Sequence, residues 1–211
     1  MNLRSISLER GGRPVFQSLD LALPEARIGL VGANGSGKSS LLRLMKGLLK
    51  PSSGLLDVQP TAGFVFQNAD HQLLFPTVME ELCFGLLEQG ETPAAARQAA
   101  ESLLHQHQAA YLKDRAVHDL SDGQRQLLCI LSVLMDRPKL LLFDEPFSSL
   151  DLGTTRQLMR LISGLPQQCI MATHDLSLLE GFDRVIWLDQ GAVKMDGSAA
   201  MVIASYRQAF P

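Results

Sequence analysis

The run Gly32-Ala33-Asn34-Gly35-Ser36-Gly37-Lys38-Ser39 constrains the fold more than any other stretch of the chain. It fits the pattern G-x-x-x-x-G-K-[ST] and stands between a short apolar run, Ile28-Gly29-Leu30-Val31, and an apolar stretch at helical spacing that begins at Ser39 and stops at Pro51. A strand, a tight glycine-rich loop and a helix therefore follow one another directly. Glycines let consecutive backbone N–H groups turn inward around an anion, and the following helix adds the positive end of its dipole. Lys38 is placed to reach the β- and γ-phosphates of a nucleotide, and Ser39 to offer its hydroxyl to Mg²⁺. The loop implies a triphosphate held through Gly32, Asn34, Gly35, Ser36, Gly37, Lys38, Ser39 and Ser40. By itself it leaves several classes of nucleotide-using protein open.

Composition narrows the field. Apolar residues make up 46% and charged residues 19% of the 211, enough hydrocarbon for one substantial core. Lys and Arg number 19 against 22 acidic residues, a net charge of −3, so no general attraction to nucleic acid is expected. Cys83, Cys129 and Cys169 form neither a CxxC metal pattern nor a dense disulfide framework. The first residues lack the continuous apolar stretch of a signal peptide, and no run of roughly 18 apolar residues could span a bilayer. A cytoplasmic location follows, with any membrane connection made through a partner.

Along the chain, apolar strands alternate with helical stretches. Leu19, Leu21 and Leu23 mark one face of a strand, and 62–67 reads as a buried strand followed by an irregular connector over 68–79. From Glu80 to about Gln108 the pattern is helical, broken at Thr92-Pro93, where Thr92 can cap a second helix. A helix at 123–135, a strand at 139–143, a helix near 154–164, a strand at 168–173, a short helix at 176–180 and strands at 184–188 and 192–194 complete the reading. The alternation predicts an α/β fold with a largely parallel sheet.

Two further constellations decide among the nucleotide-binding classes. Leu140-Leu141-Leu142-Phe143-Asp144-Glu145 is an apolar strand ending in two acids, at the sheet edge where ligands of such folds bind. Asp144 is placed to hold Mg²⁺, and Glu145 to polarise a water in line with the γ-phosphate. Upstream, Leu120-Ser121-Asp122-Gly123-Gln124 precedes a helix, with Ser121 as its cap and Gly123 small enough to let an anion approach.

That run resembles the LSGGQ signature of ABC ATPases. The other elements of that family follow in order: Gln67 resembles the Q-loop glutamine, Ser149-Leu150-Asp151 the D-loop, and His174 the switch histidine. The resemblance covers about residues 1 to 195 and implies a RecA-like P-loop NTPase core with a mainly parallel sheet, a small antiparallel β portion and a helical subdomain. It implies a single domain over 1–211, with 1–67 and 123–211 as nucleotide-binding core and 68–122 as the helical subdomain carrying the signature. Glu145, His174 and Gln67 are the implied catalytic residues, and Ser39, Gln67 and Asp144 the implied Mg²⁺ residues. Ser121, Gly123, Gln124 and Asp151 are the implied contacts to ATP across a dimer, because in the family the signature of one subunit completes the phosphate site of another. A homodimer, or a heterodimer with a similar ATPase, follows.

The segment Phe66-Gln67-Asn68-Ala69-Asp70-His71-Gln72-Leu73-Leu74-Phe75-Pro76-Thr77-Val78 resembles, more narrowly, the energy-coupling-factor ATPases that power uptake of vitamins, cobalt or nickel. This implies a peripheral position on the cytoplasmic face of the membrane, beside a transmembrane coupling protein and a substrate-binding membrane subunit. Biotin is the favoured substrate and cobalt or nickel the next. Leu73, Leu74, Phe75, Val78 and Leu82 would line the groove for the coupling protein, or simply pack the helical subdomain. A soluble ABC-type ATPase acting on nucleic acid or ribosomes, or the ATPase of another ABC transporter class, is the alternative reading. No NKxD guanine-reading motif occurs, which argues against a small GTPase.

Three features depart from the family pattern. The position of the aromatic residue that stacks on adenine falls on Arg10, whose guanidinium can also stack on a base, with Phe16 as second candidate. Asp122 replaces a glycine of the signature; as a solvent-facing group at the start of a helix it is expected to matter little, so Asp122→Gly should change turnover by less than about tenfold in a steady-state ATPase assay. The interval from Lys38 to Gln67 is short, which predicts a trimmed antiparallel portion.

Overall fold

A computed structural model describes residues 1–57 and 62–210. Cα packing divides the chain into two compact units: Met1–Phe64, Lys139–Glu145 and Gln167–Pro211 in one, Val65–Pro138 and Pro146–Pro166 in the other.

The first unit is built on two sheets. β1 (Asn2–Arg10), β2 (Arg13–Ala22) and β4 (Ser53–Leu56) form a three-stranded antiparallel sheet in the order β2-β1-β4. The larger sheet has the order β5-β6-β7-β3-β8-β9, from β3 (Arg27–Val31), β5 (Ala62–Val65), β6 (Leu140–Asp144), β7 (Gln168–Ala172), β8 (Arg184–Asp189) and β9 (Ala192–Gly197). β3 pairs parallel with β7 and β8, β6 pairs parallel with β7, and β9 closes the edge antiparallel to β8. The central strands are apolar at nearly every position, since a parallel sheet has no face left to water: Ile28, Leu30, Leu141, Leu142, Phe143, Ile170 and Val185 are all buried. Helix α1 (Lys38–Lys46) packs on β6 and β7.

The end of α1 and the stretch after β9 differ from the sequence reading. α1 ends at Lys46 rather than near Pro51, because Gly47 takes a left-handed φ of 80° and its N–H and that of Leu48 turn back to carbonyls of the last turn, with Leu48 N bonded to Arg43 O at 2.9 Å. After β9 a helix that sequence reading did not anticipate, α6 (Ala199–Ala209), packs on β8 and β9 and buries Ala199, Val202 and Ile203. Its aromatic residues gather round Trp187, with the Tyr206 ring 4.9 Å and the Phe210 ring 6.0 Å away.

The second unit is helical. α2 (Val78–Glu88) is capped by Thr77 and α3 (Pro93–Gln106) by Thr92, with proline in its first turn. α4 (Asp122–Met135) packs against α2 and α3, and α5 (Leu152–Ser163) against α4. This unit is larger than the 68–122 segment expected to be helical, since it takes in α4 and α5. Residues 68–79, expected as an irregular connector, include a short 3-10 turn at Ala69–His71 capped by Asn68.

Candidate functional site

The phosphate loop of the first unit is shaped by glycine. Gly32, Gly35 and Gly37 have φ of 148°, 81° and 108°, a region L side chains rarely enter. At Gly37 the space is closed as well, because a Cβ would lie 2.7 Å from Phe16 Cε1. Phe16 is thus a buried buttress beneath the loop, only 1% exposed, which corrects its reading as a second candidate for stacking on adenine. The strand is irregular at Ser18, φ 55°, which puts Phe16 out of phase with Leu19 and Leu21, so the alternation gave no signal for that inward position. Among the described residues no side chain caps α1, whose N-cap is Gly37, so its first amides face the loop without a side-chain acceptor.

Lys38 is buried and reaches back over the loop, its Nζ donating to Gly32 O at 2.6 Å and Ala33 O at 3.2 Å. Burial pulls its pKa below the ordinary lysine value, while the Glu145 and Asp144 carboxylates act in the opposite sense. Ser36 is buried with an Oγ that has no partner among the described residues, a polar atom awaiting an acceptor or donor. Ser39 Oγ donates to Asp144 Oδ1 at 2.7 Å, joining the start of α1 to the end of β6. Hydroxyl and carboxylate side by side are hard oxygen donors, the type that suits Mg²⁺, and the ion ordinarily completes its shell with water and phosphate.

Glu145 follows directly. Its φ of 51° is left-handed, unusual for a non-glycine residue, and its N–H is held by Ala172 O at 2.9 Å. The turn swings the side chain to His174, whose backbone N–H donates to Glu145 Oε2 at 3.2 Å and whose Nε2 lies 3.1 Å from Oε1. His174 Nε2 also lies 3.0 Å from Asn34 Oδ1, which links the end of β7 to the phosphate loop. Glu145 Oε1 is buried and accepts no well-aligned hydrogen bond among the described residues. Burial raises the Glu145 pKa above that of an ordinary glutamate, opposed by His174 and Lys38. A carboxylate held by a backbone amide and set against an imidazole, beside the Gly32–Ser39 loop, is suited to taking a proton from water.

Ser40 is buried in the first turn of α1, and the remaining predicted residues lie in the helical unit, apart from Arg10. Gln67 donates through Nε2 to Ser148 Oγ at 3.3 Å, and together with Asp70, Asp122, Arg125 and Ser149 it lines a cavity of about 500 Å³. Ser121 and Gln124 form a reciprocal capping box at the start of α4: Gln124 N donates to Ser121 Oγ at 3.3 Å and Ser121 N to Gln124 Oε1 at 3.0 Å. Gly123 is small for a reason sequence reading missed, since a Cβ there would lie 2.3 Å from Thr154 Cγ2 on α5. Asp151 caps α5, accepting from Thr154 N at 3.0 Å and from Thr154 Oγ1 at 2.6 Å, and these bonds lower its pKa. Arg10 sits exposed at the end of β1, opposite Arg13, and among the described residues no polar contact ties it to the phosphate loop. Of the cysteines, burial pushes Cys129 up to about 12, which makes it an inert thiol.

Comparison with known proteins places this geometry. A family model described as ABC transporter matches residues 16–148. The chain is 45% identical to the biotin transport ATP-binding protein BioM of Rhodobacter capsulatus over 218 residues, covering 98% of this chain and 93% of that protein. It is 38% identical to the protein of the same name from Rhizobium etli, covering 99% of each. Among solved structures, cbiO1 from Clostridium perfringens, described as part of the ABC transporter complex cbiONQ, superposes with a TM-score of 0.86 at 28% identity, covering 98% of this chain and 91% of that one. The chain belongs to the ABC transporter family, as one of its ATP-binding and ATP-hydrolysing members.

Proposed function

We propose that this chain is the motor subunit of an energy-coupling-factor importer, driving uptake of biotin through ATP-dependent closure of a dimer. The observation that carries the hydrolytic part is the arrangement of Glu145 beside the phosphate loop, its carboxylate set against both the backbone amide and the imidazole of His174. Biotin is supported by the two relatives named for biotin transport.

In this reading the loop amides and Lys38 bind the phosphates, and Phe16 keeps Gly37 in the shape that allows it. Glu145 accepts a proton from the attacking water, and His174 holds the carboxylate in place while its link to Asn34 senses the loop. Ser39 and Asp144 would hold Mg²⁺, which when bound neutralises charge on the phosphate oxygens. Arg10 is the group available for stacking on the base. The chain has one phosphate loop and one Ser121–Gln124 turn, so two copies, or one copy and a similar ATPase, build two equivalent sites in an isologous pair, with Gly123 and Asp151 at the junction.

Attachment to the membrane comes through partners. No helix among the described residues is long and apolar enough to cross a bilayer. Leu74 is 74% exposed, and Phe75 stacks on the half-exposed Phe84 with ring centroids 4.8 Å apart. These side chains supply the apolar contact for a transmembrane coupling protein, which in turn holds the substrate-binding subunit. Leu74→Glu with Phe75→Glu should abolish co-purification of a membrane partner from detergent extracts while the isolated chain keeps its ATPase activity. Full retention of that partner by the double variant would rule this surface out.

A further inference from the structure

The signature turn carries a negative charge where the family pattern has none, yet on the reading above it must receive a triphosphate. Asp122 lies next to Ser121 and Gly123, at the first position of α4. Its carboxylate is not free: Arg125, one turn along the same helix, pairs through Nη2 with Asp122 Oδ1. The same guanidinium donates through Nη1 to Leu120 O at 3.3 Å and lies 3.7 Å through Nε from Asp70 Oδ1, on the 3-10 turn after Gln67. Arg125 is the more buried partner, its side chain 27% exposed against 62% for Asp122 and 69% for Asp70. One half-buried cation therefore faces two exposed carboxylates, and it is oriented by a backbone carbonyl as well as by charge.

We propose that Arg125 is a positioning residue whose task is charge compensation: it draws the Asp122 carboxylate back along α4 and neutralises it, so that the signature turn remains receptive to the nucleotide of a second subunit. The physical ground is that an anion held within a few ångströms of a phosphate site repels its ligand unless a cation of fixed geometry accompanies it. Helix capping alone does not require this arrangement, because Ser121 and Gln124 already satisfy the amides they face. Asp122 and Arg125 thus act as a unit.

The proposal rests on the reading that the turn meets a triphosphate across a dimer, and the test separates the two. In a Glu145→Gln background, ATP-dependent dimerisation is followed by light scattering as a function of ATP. If this parent fails to dimerise, the dimer reading and the proposal fall together. If it dimerises, adding Arg125→Ala should raise the ATP concentration for half-maximal dimerisation about five- to tenfold, a tenfold rise being about 1.4 kcal/mol. Adding Asp122→Asn to Arg125→Ala should restore it to within about twofold, and Arg125→Lys, which keeps the charge, should lie near the parent. Rescue by Asp122→Asn is the discriminating result, since a purely structural role for Arg125 would not be repaired by deleting another residue's charge. An Arg125→Ala curve that coincides with the parent, or a double variant as weak as Arg125→Ala alone, overturns the proposal. Thermal unfolding of each variant shows whether the fold is intact.

Discussion

Replacing Glu145 by glutamine is expected to lower ATP turnover by about 10²–10⁴-fold while ATP binding persists, leaving the chain as an ATP-loaded dimer. The amide is close in shape to the carboxylate and can still lie beside His174, but it cannot take a proton from water. Single-turnover hydrolysis, with light scattering on the same samples, checks both halves. A variant that hydrolyses at the wild-type rate would remove Glu145 from the chemistry. The substitution should also report on the buried charge. Glu145 has its folded pKa raised by burial, so the protonated carboxyl is favoured in the folded state and the ionised form opposes folding. The favourable contribution is complete below the ordinary glutamate pKa and is lost as pH rises through the higher folded value. Glu145→Gln should accordingly melt above wild type near neutral pH, with the difference vanishing as pH drops below the ordinary glutamate range. By the same logic, wild-type turnover should begin to fall on acidification at a higher pH than an unperturbed glutamate would give.

Lys38→Ala should have the second large effect, this time on binding. Its ammonium gives two of three possible donors to the loop carbonyls of Gly32 and Ala33. Around it stand the Asp144 and Glu145 carboxylates, whose charge offsets part of the cost of burying it. Truncation removes the cation proposed to face the phosphates, releases the loop carbonyls and takes a positive charge from beside two acids. Truncating one partner of a desolvated, hydrogen-bonded charge pair in a binding site costs about 3–4 kcal/mol, so ATP affinity should fall by a factor on the order of 10²–10³. Titration calorimetry measures it directly. An affinity within a few-fold of wild type would mean that the amides alone hold the nucleotide.

The strand, loop and helix around Gly32–Ser39 were legible because their pattern is written in consecutive residues. The loop from Gly32 to Ser39 lies between β3 and α1, and Asp144 and Glu145 end β6, as the run of apolar residues before them required. Thr92 and Ser121 could be recognised as caps for the same reason, since a cap acts on amides two or three positions away. What sequence reading missed depends on distant neighbours. Nothing near Phe16 says that it will sit under Gly37, and nothing near Gly123 says that Thr154 will come against it. The C-terminal helix escaped notice because its buried face is narrow, three side chains set against β8 and β9 in an otherwise mixed stretch. The left-handed backbone of Glu145 was equally invisible, because it is imposed from outside by the Ala172 carbonyl of the neighbouring strand.

The contact between Gly123 and Thr154 has a mechanical consequence. Thr154 has both its amide and its hydroxyl held by Asp151, and its methyl occupies the space that a side chain at position 123 would need. From the aspartate to the turn beside Ser121 there is a single threonine. Any side chain at 123 would press first on that threonine and through it on the cap of α5, so the bare backbone of Gly123 is what lets the starts of the two helices come this close.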